Sequence, residues 1–257
     1  MAGRIAAGGC HSVVVCEDGL AVAFGECESQ LRAKLDGEWR ARVARMGAAA
    51  AGARPYPGTT AIAVLIHGGT LAVANCGDCR AVLCRGGDPL QLSTDHTAGD
   101  PGERRRLESS GFRVVERGGS ARLAPAMIEV SRSVGDFDMK EHGLIADPET
   151  AELSLGPNDE FVVLGSDGLF ERLSNEEIVG LVHDTVKDPD MCAKRLVTEA
   201  MTRGTGDNVS CIVVFLSPRK TLERIYAKGE QKYRYTSTHY SSRDDNRISE
   251  AVMADRY

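Results

Sequence analysis

Three aspartates sit where a strand-like run meets a turn: Asp78 in NCGDCR, Asp167 in LGSDGLF and Asp207 in GTGDNVS. Each has a Gly or Asn beside it. A glycine-flanked strand end lets the backbone turn sharply while a carboxylate projects from the rim of a sheet, and hard divalent cations are gathered from distant chain positions in this way. Singly, each is weak evidence, because an aspartate at a turn more often closes an Asx-turn than binds a metal. The 8 cysteines are scattered, without the dense spacing that staples small secreted domains, and read as thiols. Cys76 and Cys79 form a CxxC pair, but no second pair follows at zinc-site spacing, so they read as turn residues. His11 has no partner acid or nucleophile in view and reads as a turn or packing residue.

The elements that must position the aspartates can be read from periodicity. From Thr59 the chain is a strand meander: TTAIAVLI, a Gly68-Gly69 turn, TLAVA, a turn at Asn75 to Cys79, RAVLC, and a second Gly-Gly turn at 86 to 87. Glu160 to Leu164 and Val209 to Leu216 are further strands. Asp100-Pro101 predicts an N-cap and first helical residue, with the helix stopping at Gly111. Ser174 to Glu177 fits a capping box before a helix running to about Val186, and Asp188-Pro189 opens another helix ending near Gly204. Upstream, Leu31, Leu35, Trp39, Val43 and Met46 recur at helical spacing. Before them, Ser12 to Cys16 and Leu20 to Phe24 flank Glu17-Asp18-Gly19, the pattern of a β-hairpin.

The bulk numbers bound the function class. The 257 residues suffice for one large domain or two small ones, and 42% hydrophobic with 26% charged residues is the composition of a globular protein. No stretch approaches the ~20 apolar residues of a membrane helix, and Met1 to Cys10 has no signal-peptide core, which predicts an intracellular address in cytoplasm or nucleus and no membrane partner. A net charge of −6 with interspersed signs argues against a nucleic-acid surface. The expected partners are proteins.

The wording around the aspartates carries a resemblance. LAVANCGDCRAVL, IEVSRSVGDFDMK, EFVVLGSDGLFERLSNEEIV and GTGDNVSCIVV resemble four successive motifs of the metal-dependent (PPM, type 2C) protein serine/threonine phosphatases, in family order and spacing, over about residues 56 to 217. The resemblance implies an α+β fold, a four-layer α-β-β-α sandwich of two antiparallel sheets, with two Mg²⁺ or Mn²⁺ ions at one end and a phosphoprotein substrate. It implies that Asp167, with the adjoining Gly168, and Asp207 ligate one catalytic metal, and that Asp78 with Asp167 serves a weaker accessory site. Arg132 and Asp136, in the matched SRSVGD stretch, are expected to be structural.

One family motif is missing. The strand ending in Asp-Gly-His-Gly-Gly, which the family uses to bridge both metals and to supply a proton donor, has no counterpart here; its closest look-alike, AVAFGECES, places Phe24 and Glu26 where Asp and His belong. The family's catalytic His and Arg have no match. Residues 4 to 31 instead resemble part of one repeat of the regulator-of-chromosome-condensation propellers, through Gly-Gly-x-His-Ser, Asp-Gly and Phe-Gly punctuation; half a blade cannot bury its faces alone. The expected organisation is a partial propeller-type repeat at 1–31, a helical linker at 32–55, an incomplete phosphatase domain at 56–217 and a charged, mobile tail at 218–257, with two coding segments joined or the chain truncated. Three expectations compete: a phosphoprotein phosphatase in which an unrecognised residue or a partner chain completes the metal site, a catalytically impaired pseudophosphatase that binds phosphoproteins or scaffolds a complex, and an incomplete, marginally folded domain.

Overall fold

The computed structural model describes residues 12–13, 20–47, 57–125 and 127–217. The tail from 218, and the repeat-like punctuation at Gly8-Gly9, His11 and Asp18-Gly19, lie outside the described residues. Strand β1 (Ser12–Val13) and helix α1 (Leu20–Met46) precede the short β2 (Gly58–Thr59) and the meander β3 (Ala61–His67), β4 (Thr70–Cys76), β5 (Arg80–Arg85) and β6 (Asp88–Gln91). Helix α2 (Pro101–Ser109), the hairpin β7 (Val114–Arg117) and β8 (Ser120–Leu123), and β9 (Val134–Gly135) follow. The chain then forms β10 (Glu149–Ser154), β11 (Asp159–Gly165), the single turn α3 (Asp167–Phe170), α4 (Asn175–Thr185), α5 (Cys192–Thr202) and β12 (Cys211–Phe215).

Two four-stranded sheets result, ordered β1-β3-β4-β10 and β12-β11-β5-β6. Their strands alternate faces with period two, and this alternation builds the layers. Ile62 and Val64 of β3, Leu71 and Val73 of β4, Ala81 and Leu83 of β5, and Val162 and Leu164 of β11 meet in one buried cluster between the sheets. The intervening residues face outward. Phe161, Val163, Cys84, Cys211 and Val213 pack against Ile178, Leu181 and Val182 of α4 and Leu196 and Val197 of α5. On the other side Ala61, Ala63, Ala74 and Cys76 pack against Phe24 and Leu31 of α1. The architecture is therefore the four-layer α-β-β-α sandwich.

Local signals fix the other elements. Asp100 caps α2, its Oδ1 accepting from the Gly102 and Glu103 amides at 2.8 and 2.9 Å, and the chain leaves the helix through Gly111 at φ 82°. Ser174 and Glu177 form a reciprocal capping box on α4. Ahead of α5, Pro189–Met191 is a 3₁₀ turn, so the helix proper begins three residues later than the Asp-Pro signal implies. Arg132 and Asp136 have structural partners, Glu103 Oε1 at 2.6 Å for Arg132 and Ser133 Oγ at 2.7 Å for Asp136.

The N-terminal expectation is corrected. Leu20 to Phe24 is not the second strand of a hairpin but the first turns of α1, which runs unbroken through Leu31. Ser12–Val13 pairs in parallel with β3 instead, Ser12 opposite Ala61 and Val13 opposite Ile62. A five-residue apolar run is compatible with either period, and packing decides: Phe24 and Leu31, seven residues apart, fall on one helical face over the small side chains of β3 and β4. Glu28 pins the same face, accepting from the Gly135 amide at 2.6 Å and pairing with Lys140 at 3.4 Å.

Candidate metal centre

Strand register brings the three aspartates to one rim. Gly165 of β11 lies opposite Arg80 of β5 on one side and Cys211 of β12 on the other. Both pairings are antiparallel, so the residues before Arg80, after Gly165 and before Cys211 all leave the sheet at the same end. Asp78, Asp167 and Asp207 are on those three segments.

Each segment is shaped by glycine and by local hydrogen bonds. Gly77 has φ 119°, and a Cβ there would lie 2.3 Å from the Thr60 side chain, so only glycine fits the turn before Asp78. The buried Asn75 amide donates to the Gly77 and Thr94 carbonyls at 2.9 and 2.8 Å, and His96 Nδ1 accepts from the Gly77 amide at 3.3 Å. Ser166 locks the β11 exit to the β12 entry: its amide donates to the Ser210 carbonyl at 3.0 Å, while its hydroxyl donates to the Asn208 carbonyl at 3.2 Å and accepts from the Ser210 amide at 3.0 Å. A Cβ on Gly168 would meet the Asn208 carbonyl oxygen at 2.6 Å and the Asp207 Cβ at 3.4 Å. The Asp207 loop thus rests directly on the turn that carries Asp167.

The electrostatics follow from this convergence. Burial pushes Asp78 up to about 7, and the neighbouring carboxylates of Asp167, Asp95 and Asp207 push in the same direction. Carboxylates gathered at one rim are hard oxygen donors, the kind that suits a divalent Mg²⁺- or Mn²⁺-type ion. The convergence is one of segments rather than a closed shell. Among the described residues, the group of three acidic, thiol or imidazole ligand atoms lying within 4.8 Å of one another is a different one: Cys84, Glu160 and His183.

Two rim residues carry no glycine-flanked signal in the sequence. Arg80 forks onto Asp95, Nε to Oδ1 at 3.0 Å and a terminal nitrogen to Oδ2 at 2.5 Å. It also donates to Asn175 Oδ1 at 3.1 Å and lies 4.6 Å from the Phe170 ring centroid. Its guanidinium ties β5 to α3 and α4 while its charge is committed to Asp95. The signal that could have found Asp95 is the STDHTAG loop, in which it directly precedes the buried His96.

Cys76 and Cys79 do not form a metal pair. Cys76 belongs to the layer under α1 and Cys79 to the core between the sheets; both are free thiols that burial pushes up to about 12. At the position resembling the missing motif, Phe24 is buried and Glu26 exposed on α1. Among the described residues, no helix is long and apolar enough to cross a membrane.

Comparison with known proteins bears on the family and the fold. The model of the family described as "Protein phosphatase 2C" matches residues 19–209, beginning one residue before α1. A "Protein kinase and PP2C-like domain-containing protein" of Arabidopsis thaliana is 50% identical over 171 residues, covering 66% of this chain and 26% of that protein. "Probable protein phosphatase 2C 59" of the same plant is 43% identical over 157 residues, 61% of this chain and 49% of the relative. The chain therefore spans about a quarter to a half of the length of these relatives. Among solved structures, a C. elegans sex-determining protein superposes with a TM-score of 0.58 at 25% identity, covering 62% of this chain and 40% of that one. A serine-threonine phosphatase 2C of Toxoplasma gondii, at 18% identity with a TM-score of 0.57 over 77% of this chain and 71% of that one, shares the fold.

Proposed function

The chain belongs to the protein phosphatase 2C family, and from that premise we propose that it hydrolyses phosphoserine and phosphothreonine in a phosphoprotein, using Mg²⁺ or Mn²⁺. The observation that carries the reading is the register of β5, β11 and β12, which brings the segments of Asp78, Asp167 and Asp207 to one rim; burial and the neighbouring carboxylates raise Asp78 there to about 7. When bound, divalent ions supply Lewis-acid activation of a water and compensate charge on the phosphoryl oxygens. Asp167 and Asp207, whose segments meet at Gly168, would hold one ion, with Asp78 and Asp167 serving the weaker accessory position. Arg80, anchored by Asp95 and Asn175, keeps the β5 rim in register with α3 and α4. The unit that does this comprises residues 56–217 with α1 as its outer layer.

A second reading has its own support. Phe24 and Glu26 occupy the look-alike of the bridging motif, which favours a pseudophosphatase that binds phosphoproteins without turnover. The two separate in one assay: phosphate release from a phosphoserine peptide with and without Mn²⁺, run beside Asp167→Asn. We expect slow Mn²⁺-dependent release, far below the ~10 s⁻¹ of an ordinary enzyme, and its loss in the mutant. Phosphopeptide binding without any release would establish the binding module instead.

A further inference from the structure

At the far end of the β12-β11-β5-β6 sheet, three ligand-bearing side chains meet in the interior. Cys84 is the fifth residue of β5, Glu160 the second of β11, and His183 lies on the buried face of α4; they are 0%, 4% and 8% exposed. Cys84 Sγ is 3.4 Å from His183 Nε2, which is 3.2 Å from Glu160 Oε2, and all three ligand atoms lie within 4.8 Å of one another. Glu160 and Asp167 are seven residues apart on one extended path, so this cluster is roughly 20 Å from the aspartate rim.

We propose that Cys84, Glu160 and His183 form a second, buried metal site that takes a zinc-class cation. Ligand separations support it: around a tetrahedral Zn²⁺ with bonds of about 2.0 to 2.3 Å, donor atoms sit about 3.3 to 3.6 Å apart, close to the two separations above. The donor set supports it as well. One thiol, one imidazole and one carboxylate suit a borderline-soft ion and discriminate against Mg²⁺ and Mn²⁺, which the all-carboxylate rim suits. The environment holds the ligands in place: Phe161 packs edge-on to the His183 ring at a centroid distance of 5.3 Å, and α4 is fixed by its capping box. Burial and the nearby Glu160 push the Cys84 thiol far up, so a thiolate here requires a compensating cation, while the Gly87 backbone amide favours the charged sulfur. Ion loading would release the thiol proton to solvent. Three protein donors leave the fourth corner of the tetrahedron to a water, and the ion would tie β5, β11 and α4 together.

Cobalt(II) is the probe, because a thiolate ligand gives an intense charge-transfer band in the near ultraviolet that oxygen ligands do not. The full chain is stripped with chelator and titrated with Co²⁺. The expected result is a thiolate band saturating at one ion per chain, retained in Asp167→Asn and lost in Cys84→Ser, with zinc bleaching it stoichiometrically and Mg²⁺ leaving it intact. Circular dichroism checks each variant for folding. Where Cys84→Ser does not fold, His183→Gln and Glu160→Gln decide the matter through an expected fall of at least tenfold in cobalt affinity. A folded wild-type chain without the band, or a band indifferent to all three substitutions, overturns the proposal and leaves a hydrogen-bonded Cys-His-Glu cluster.

Discussion

Gly168 is where the site depends most on a single absent atom. Its missing Cβ is the space in which the Asn208 carbonyl sits, and the added methyl of Gly168→Ala would meet backbone at 2.6 Å, a contact that cannot be relieved by a rotamer change. The Asp207 segment would have to lift off the Asp167 turn. We expect Gly168→Ala to cost about 1 to 3 kcal/mol of stability and to weaken Mn²⁺ binding disproportionately, as measured by calorimetric titration beside denaturant unfolding. Unchanged Mn²⁺ affinity in a destabilised but folded variant would show that Asp207 does not share an ion with Asp167. Gly206, by contrast, has open space around its Cβ position and is expected to tolerate alanine.

Helix α1 is the element whose role the packing changes. It is the fourth layer of the sandwich, docked through Phe24 and Leu31 over Ala61, Ala63 and Ala74 and pinned by Glu28. Arg32 adds a cation-π contact at 4.7 Å from the Phe137 ring centroid. Without α1 the outer face of the β3-β4 pair would meet water as an apolar surface. A buried Phe→Ala costs about 3 to 5 kcal/mol in a well-packed core, and we expect Phe24→Ala to fall in the lower part of that range because four of the residues packed with it are alanines, Ala61, Ala63, Ala72 and Ala74. Chemical denaturation measures it. A loss below about 1 kcal/mol, typical of surface sites, would mean that α1 is only loosely laid on the sheet.

At the scale of the whole molecule, the buried Glu103 and the half-buried Asp78 set opposite pH limits. Burial by itself raises the Glu103 carboxyl, but Arg132, Arg106 and the Ser131 hydroxyl more than offset this and hold it down at about 2. Its pair with Arg132 ties α2 to the segment before β9, while Arg106 pairs with it within α2. Because the folded state holds this proton less tightly than the unfolded chain, its contribution is fully present above 4.5 and is lost as pH falls toward about 2. Asp78 has the opposite sign. Its folded-state pKa of about 7 lies above the ordinary 3.8, so the metal-free fold loses stability as pH rises through that window. The melting temperature of the metal-free chain should therefore peak where the two windows meet, between the ordinary values of 3.8 for Asp78 and 4.5 for Glu103. Mn²⁺ should restore stability at pH 8, and Asp78→Asn should flatten the alkaline side while leaving the acid side unchanged. A profile with no Mn²⁺-sensitive decline between pH 4 and 7 would contradict the charge crowding at the rim.

The sequence by itself determined the elements whose signals are local. The capping box at Ser174, the N-cap at Asp100, the Gly-Gly turns of the meander and the period-two strands need only neighbouring residues, and the glycine-flanked aspartates mark strand ends whatever the strands pair with. Only the tertiary structure decided how those ends align, because the register of β5, β11 and β12 is set by which faces of three distant segments bury together. It also decided that Leu20 to Phe24 is helical, since a short apolar run carries no period and takes the one its contact surface rewards. The Cys84, Glu160 and His183 cluster was invisible for the same reason. Its members sit on one outward face of two strands and the inward face of a helix 23 residues further on, and nothing in the spacing of 84, 160 and 183 foretells that packing will close them to hydrogen-bond range.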